Sequence, residues 1–169
     1  MVLNVRFATL NKNDFINGEG VSVSLWMQGC PHHCKGCHNP KQWDFNGGQE
    51  IEIDVLIEEI SQAIAANGIQ RNFSVLGGEP LAPENFTDTY YIIRQIKEKF
   101  PTIKIFIWTG YVLEELKEKY NDLIFEYIDV LIDGRFELDK RDITLKLRGS
   151  SNQRILYIVY KWKTSFTCR

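Results

Sequence analysis

Three cysteines lie close together in the segment CPHHCKGCHNP, which covers residues 30–40. They are Cys30, Cys34 and Cys37, and their spacing is C-x3-C-x2-C. Thiolates grouped in this way bind metal, but a structural zinc site and most iron–sulfur clusters take four protein ligands. The segment therefore raises the question of whether the fourth ligand is a histidine, the distant Cys168 or no protein residue at all.

The missing fourth ligand has a chemical interpretation. Three thiolates from one loop would hold three irons of a cubic 4Fe–4S cluster and leave the fourth iron open, as catalytic metal sites keep a position open for substrate. The alternative is a zinc site completed by His32, His33, His38 or Cys168. We expect His32 and His33 to point outward from a loop wrapped around a cluster. We expect Cys168, the penultimate residue, to be a bystander thiol, because chain termini fray.

A second candidate site is the turn GGEP, Gly77 to Pro80, which directly follows the apolar segment FSVL. Two glycines allow the backbone to take positive φ angles and to approach a ligand closely. Glu79 adds a hydrogen-bond acceptor, and Pro80 fixes the direction in which the chain leaves. A plain turn between a strand and a helix would have the same residues, so the turn alone does not decide between binding and structure.

The composition limits the classes of protein to which this chain can belong. Its 169 residues, 44% apolar and 25% charged, predict one globular domain over residues 1–169. A net charge of −2 gives no electrostatic case for nucleic acid as a partner. No apolar run approaches membrane-spanning length, and residues 1–14 lack the features of a secretory signal. Crowded cysteines in such a chain predict metal or redox chemistry in a reducing cytoplasm.

Apolar runs that predict strands alternate along the chain with segments of helical periodicity. We expect strands at 21–27, 72–80, 103–110, 128–134 and 154–162, and helices at 51–68, 84–99 and 112–120. Strands that are nearly continuous apolar runs are typical of a parallel sheet covered by helices, which gives an α/β fold. About four to six strands are too few for the eight of a full barrel.

We expect the candidate residues to lie together at the carboxyl ends of the predicted strands. The cysteine loop, the Gly77–Pro80 turn, Thr109–Gly110 and Asp133–Gly134 each follow a predicted strand. Active sites of parallel sheets lie at the carboxyl ends of the strands. We therefore expect these four segments on one face of the molecule.

The cysteine spacing resembles the hallmark of the radical S-adenosylmethionine enzymes, and the GGEP turn stands where that family carries its GGEP motif. The resemblance implies a partial parallel (β/α) barrel of the radical S-adenosylmethionine type. It implies one 4Fe–4S cluster held by Cys30, Cys34 and Cys37, with S-adenosyl-L-methionine on the fourth iron. In that family the reduced cluster donates one electron, which cleaves the sulfonium to methionine and a 5′-deoxyadenosyl radical.

The resemblance also implies which residues line the cofactor, and it implies no catalytic residue beyond the cluster ligands. The turn would bind the methionine amino group, and His38, where the family usually has an aromatic residue, would pack beside the cofactor. We expect Gly78→Val to weaken cofactor binding and leave the cluster assembled, because the cysteine loop lies elsewhere in the sequence. The implied cofactor contacts are Gly36, Cys37, His38, Gly77, Gly78, Glu79 and Pro80.

Longer blocks narrow the resemblance to the activating proteins of anaerobic ribonucleoside-triphosphate reductases; they are 14–48, 107–111, 129–136 and RGSSNQR at 148–154. Such proteins abstract a hydrogen from a glycine of the reductase and leave a glycyl radical. The resemblance implies the large reductase subunit as protein substrate, closing the open side of the barrel, and a flavodoxin-like or ferredoxin-like electron donor. The alternatives are an activase of another glycyl-radical enzyme, a radical S-adenosylmethionine enzyme acting on a small molecule, and a zinc-bound interaction module without catalysis.

Overall fold

A mixed sheet of seven strands forms the centre of the structure, a computed structural model that describes residues 3–159. In chain order the strands are β1 (Asn4–Asp14), β2 (Val21–Met27), β3 (Gln49–Glu52), β4 (Arg71–Gly77), β5 (Ile105–Trp108), β6 (Val130–Asp133) and β7 (Arg154–Tyr157). Their order across the sheet is β3-β1-β2-β4-β5-β6-β7. Cys168 and the end of the predicted strand 154–162 lie outside the described residues.

Four neighbouring strands, β2, β4, β5 and β6, are parallel. They coincide with four of the predicted strands, which confirms the parallel α/β fold. In the register of the sheet Met27 lies beside Gly77, and Trp108 lies beside Ile132. The four carboxyl ends therefore meet at one edge, where the cysteine loop and the GGEP turn begin.

The flanking strands are antiparallel, and two of them were not predicted from the sequence. β1 pairs with β2 and with β3, and β7 pairs with β6. The sheet thus has seven strands instead of the expected four to six. The second half of β1 is mostly exposed and polar, and irregularities interrupt its register with β2, so its apolar alternation is weak. Because β3 and β7 are open edges of the described sheet, the barrel stays partial.

Three helices, α1 (Ile53–Ala65), α2 (Pro83–Lys99) and α3 (Leu113–Tyr120), contribute to the apolar core on one face of the sheet. α1 buries Ile53, Leu56, Ile60 and Ile64, which recur at helical spacing and confirm the predicted periodicity. Burying one such side chain contributes about 1.5–3 kcal/mol. Within residues 3–159, every helix is too short or too polar to cross a membrane.

The opposite face of the sheet forms the inside of the partial barrel. Its residues alternate with those of the helix-covered core and include Ser24, Trp26, Ser74 and Trp108. A smaller apolar cluster, centred on Phe106, closes part of this face together with the segment after β6. The remaining part is an open groove that reaches up to the carboxyl ends of the parallel strands.

Candidate active site

The carboxyl ends of the four parallel strands surround one pocket, which we call the cysteine pocket. It has a volume of about 150 Å³, about five times the roughly 30 Å³ that one water molecule occupies in the liquid. The site therefore admits a group much larger than a single ion. The lining residues are Cys30, His32, Cys34, Cys37, Asn39, Trp43, Gly77, Gly78, Glu79, Trp108, Thr109, Gly110, Gly134, Phe136 and Gln153. All four segments expected at these strand ends contribute residues to it.

The cysteine loop leaves β2 and returns alongside its own beginning. The Gly29 N–H donates to the Gln42 carbonyl at 3.0 Å, and the Cys30 N–H donates to the Trp43 carbonyl at 3.1 Å. The side chain of Gln28, which is buried, reaches across the base of the loop to the carbonyl of Asp44 at 2.7 Å. Main-chain hydrogen bonds and the Gln28 side chain therefore hold the loop in shape.

The three cysteines are free thiols, and all three line the pocket. Among residues 3–159, however, no three cysteine, histidine or acidic side chains are close enough together to hold one metal ion. A zinc site needs ligands converging on one ion at about 2.0–2.3 Å. A cubic cluster gives each thiolate its own iron, so it suits sulfurs that share a pocket without meeting at a point. The arrangement fits the cluster better than it fits zinc.

Burial affects the chemistry of these thiols. It raises the pKa of Cys30 to about 11, and the neighbouring Glu79 carboxylate adds to the rise. Burial also raises the pKa of Cys34. Thiols must lose their protons when they bind metal. Assembly of a cluster here therefore releases protons that the buried thiols otherwise hold firmly.

The two histidines between the first cysteines differ in orientation, and the expectation for His32 was wrong. The His32 side chain is only 4% exposed, and its Nε2 lies 2.8 Å from Oε2 of Glu79. His33 is exposed and stacks on Trp43, with 4.7 Å between ring centroids, so it points outward as predicted. The spacing of the cysteines alone did not indicate which histidine the loop turns inward.

Three of the expected cofactor contacts lie outside the cysteine pocket. Gly36, at φ +75°, packs against Leu138, whose Cδ1 would be 2.8 Å from an added Cβ. Pro80 is buried and does not line the pocket. The exposed ring of His38 lies 5.8 Å from the ring of Phe136, beside the open groove. The role of these residues toward a cofactor stays a prediction.

The glycines of the GGEP turn allow a close approach to β2 and the cysteine loop. Gly77 has φ +103°, and a Cβ on Gly78 would lie 2.3 Å from the Gly29 carbonyl oxygen. The Gly78 N–H donates to Met27, and the Glu79 N–H donates to Gly29 at 2.7 Å. The turn and the loop are therefore in direct contact. The reason for expecting Gly78→Val to leave the cluster assembled therefore does not hold, because the turn and the cysteine loop are distant only in the sequence.

The Glu79 side chain is 1% exposed and accepts four hydrogen bonds within the pocket. One oxygen accepts hydrogen bonds from the Thr109 hydroxyl at 2.7 Å and the Leu81 N–H at 3.0 Å. The other accepts from the Gly110 N–H at 2.6 Å and from His32 at 2.8 Å. This carboxylate links the cysteine loop, its own turn and the end of β5.

Asp133, at the end of β6, is fully buried and pairs with Arg154. Nε of Arg154 lies 2.9 Å from Oδ1 of Asp133, and the Leu113 N–H donates to Oδ2 at 2.8 Å. The pair joins β6, β7 and the start of α3. Asp133 thus stabilises the fold beneath the pocket.

Sequence reasoning did not single out several residues that line the site, among them Trp108, Phe136 and Gln153. Gln153 accepts a hydrogen bond from the Gly149 N–H at 2.9 Å and donates to the Gly134 carbonyl at 2.9 Å. It thereby fixes the RGSSNQR segment against the end of β6. Gln153 belongs to the RGSSNQR block at 148–154, which contributed to the family resemblance but was given no role in the site.

The open groove continues from the cysteine pocket along the inside of the barrel. Asn17, in the β1–β2 loop, lines it together with Ile16, Trp26 and Ile143. Asp14 orders that loop, because its Oδ1 accepts from the Ile16 N–H at 2.8 Å and from the Asn17 N–H at 3.1 Å. The loop is both a turn and a wall of the groove.

Comparisons with known proteins agree with this geometry. A family model described as a 4Fe-4S single cluster domain matches residues 16–156. The chain is 39% identical over 154 residues, 88% of its length, to the anaerobic ribonucleoside-triphosphate reductase-activating protein of Pasteurella multocida, of which 92% is covered. It is 36% identical to the protein of that name from Escherichia coli K12, covering 86% of this chain and 94% of the relative. The protein of that name from bacteriophage T4 is 37% identical, with 84% and 87% covered. The chain therefore belongs to the family of anaerobic ribonucleoside-triphosphate reductase-activating proteins, radical S-adenosylmethionine enzymes with a single 4Fe–4S cluster domain.

Proposed function

We propose that this protein activates an anaerobic ribonucleoside-triphosphate reductase. It cleaves S-adenosyl-L-methionine reductively and abstracts a hydrogen atom from a glycine of the reductase, which then carries a glycyl radical. The observation that carries this function is the meeting of three free cysteines and the GGEP turn in one pocket at the strand ends, in a chain that matches these activating proteins over most of its length.

We assign the cluster to Cys30, Cys34 and Cys37 and the edge that receives the cofactor to Gly77 and Gly78. The cluster, when bound, supplies the single electron that breaks the carbon–sulfur bond of S-adenosyl-L-methionine. The protein's own residues bind the cluster and the cofactor, orient them and shield them from water. The main-chain contacts of the loop fix the three thiols, and the apolar rings of the pocket wall exclude water.

The reductase is the partner that closes the open side of the barrel. The groove beside the pocket has an apolar rim, since Ile16 and Ile143, which line it, are 81% and 83% exposed. Large exposed apolar side chains beside a groove are typical of a protein interface. A glycine suits the approach of a protein backbone to the reacting carbon, because it has no side chain to block it.

The electron that reduces the cluster comes from outside this chain. A cluster that has given its electron to S-adenosyl-L-methionine must be reduced again by another donor. We propose a flavodoxin-like or ferredoxin-like protein as the donor and the reducing cytoplasm as the location, where thiols stay free for metal. We also treat residues 1–169 as one functional unit. The close contact of the cysteine loop and the GGEP turn supports this, since the site draws on strands from β2 to β6.

The test is electron paramagnetic resonance on an anaerobic mixture of the cluster-loaded protein, a reductant, S-adenosyl-L-methionine and the large reductase. We expect a glycyl-radical signal on the reductase. The signal should be absent when the radical-site glycine of the reductase is changed to alanine, and absent with Cys34→Ala of this protein. Rapid turnover of a free nucleotide by this chain alone, without any protein radical, would refute the proposal.

A further inference from the structure

A buried pair of side chains joins the cysteine loop to the GGEP turn. His32 stands between Cys30 and Cys34, so its ring moves with the loop that presents the thiols. Its Nε2 lies 2.8 Å from Oε2 of Glu79, and the two side chains are 4% and 1% exposed. At this burial a hydrogen bond to a carboxylate is protected from water and is worth more than one at the surface. The pair therefore links the metal-binding loop to the cofactor edge.

The contacts of Glu79 leave it no acceptor site for a ligand. A carboxylate offers about four lone-pair positions on its two oxygens. Those of Glu79 receive four donors, from Leu81, Thr109, Gly110 and His32. A cofactor amino group would have to displace one of them. The carboxylate thus holds protein segments together, and the backbone beside it is left to meet the cofactor.

The His32 ring fills a closely fitting space in the protein. This packing fixes the position of the ring independently of its hydrogen bond. A Cβ on Gly110 would lie 2.4 Å from Cδ2 of the ring, so a glycine at 110 leaves room for it. Tyr111 meets the ring edge to face, with 4.6 Å between centroids and an angle of 69°. The segment after β5 therefore packs closely against the ring.

We propose that His32 is a positioning residue, which keeps the cysteine loop in register with the GGEP turn by donating from Nε2 to Glu79. The open coordination position of the cluster and the edge that receives the cofactor then keep a fixed distance. The inference rests on the proposed function for the identity of the cofactor. It assigns His32 no contact with the metal or with the substrate.

Two substitutions separate the hydrogen bond from the ring. His32→Phe keeps a ring in that space and removes the donor, whereas His32→Gln keeps an N–H donor at about the same reach. His33→Phe is the matched control, because it makes the same change in the adjacent, exposed histidine. Each cluster-loaded variant is assayed for iron and sulfide, and S-adenosyl-L-methionine is titrated against the electron paramagnetic resonance spectrum of the reduced cluster.

We expect normal iron in every variant and a shifted titration only in His32→Phe. The concentration of S-adenosyl-L-methionine that converts half of the spectrum should rise about tenfold to hundredfold, the equivalent of one hydrogen bond to a charged group. His32→Gln should stay within about threefold of the wild type, and His33→Phe should be unchanged. A wild-type titration in His32→Phe, or an equal loss in His32→Gln, would overturn the inference. So would loss of iron in His32→Phe alone, because His32 would then serve cluster assembly.

A second measurement needs no cofactor. Amide hydrogen exchange of the cluster-loaded protein, without S-adenosyl-L-methionine, reports how firmly residues 30–37 are held. We expect faster exchange of these amides in His32→Phe and no change in His33→Phe. Equal exchange in both would overturn the inference, whatever the cofactor does. A different result would be an electron paramagnetic resonance spectrum of the wild type that does not change when S-adenosyl-L-methionine is added, while the exchange difference between the variants is present. That result would count against the proposed function and would support the link between loop and turn.

Discussion

Replacing Gly78 with alanine should disturb the cysteine loop, although the two are far apart in the sequence. The added Cβ would lie 2.3 Å from the carbonyl oxygen of Gly29 and 3.1 Å from that of Gln42, whereas ordinary contacts are 3.4–4 Å. Both obstacles are main chain, so no side chain can swing aside. Gly29 directly precedes Cys30, and the loop must move by about 1 Å to relieve the contact.

The size of the effect follows from that displacement. Overpacking by one carbon typically costs about 1–3 kcal/mol of unfolding free energy. Metal–ligand distances tolerate deviations of only about 0.2 Å, so a shift of about 1 Å at Cys30 should prevent full assembly of the cluster. We expect Gly78→Ala to hold less than about half of the wild-type iron.

The assay is iron and sulfide per chain after anaerobic reconstitution, together with thermal unfolding of the metal-free protein. Gly68→Ala is the control, because its Cβ meets no atom within 4 Å while its φ of +66° strains an alanine. That strain costs about 1–2 kcal/mol, so the control loses comparable stability without touching the loop and should keep its iron. Wild-type iron in Gly78→Ala, or equal loss in the two variants, would refute the reasoning.

Other substitutions test the fold and the ligand set. Arg154→Ala leaves the buried Asp133 carboxylate without its cation and should lower the free energy of unfolding by about 3 kcal/mol. Glu114→Ala, which removes only the exposed partner of Arg154, should cost less than about 1 kcal/mol in denaturant titrations. Burial works to raise the pKa of Asp14, but hydrogen bonds from the following loop outweigh it and hold the pKa below 3.8. A depressed pKa contributes stability above the unfolded value that is lost as the pH falls through the folded one. The stability advantage of the wild type over Asp14→Asn should therefore shrink in denaturant titrations below about pH 3.8, and a constant difference would contradict it. Cys168→Ala should leave iron content unchanged, and loss of the cluster would contradict the three-cysteine ligand set.

The features that the sequence predicted correctly are local along the chain. Four parallel strands were recognisable because each is a short apolar run that is buried on both faces. The helical periodicity of α1 was visible because its apolar residues recur every three or four positions. The C-x3-C-x2-C spacing and the GGEP turn identified the family because their residues are close neighbours in the sequence.

The strands that escaped prediction lie at or next to the edge of the sheet. The second half of β1 is polar and largely exposed, and β3 has only four residues, of which none is fully buried. Such strands are specified by pairing with a neighbour, since their own side chains carry little apolar signal. β2 supplies the partner of β1, and β1 in turn supplies the partner of β3.

The arrangement of the site was decided by tertiary structure. His32 and Glu79 are 47 positions apart, and the register of β2 against β4 brings their segments together. The same register places Gly78 against Gly29, so the turn and the cysteine loop affect each other. The sequence alone indicates which residues could bear the chemistry, because residue type and short spacing are local properties. Which histidine turns inward, and what Glu79 binds, depends on contacts between distant segments that only the folded sheet creates.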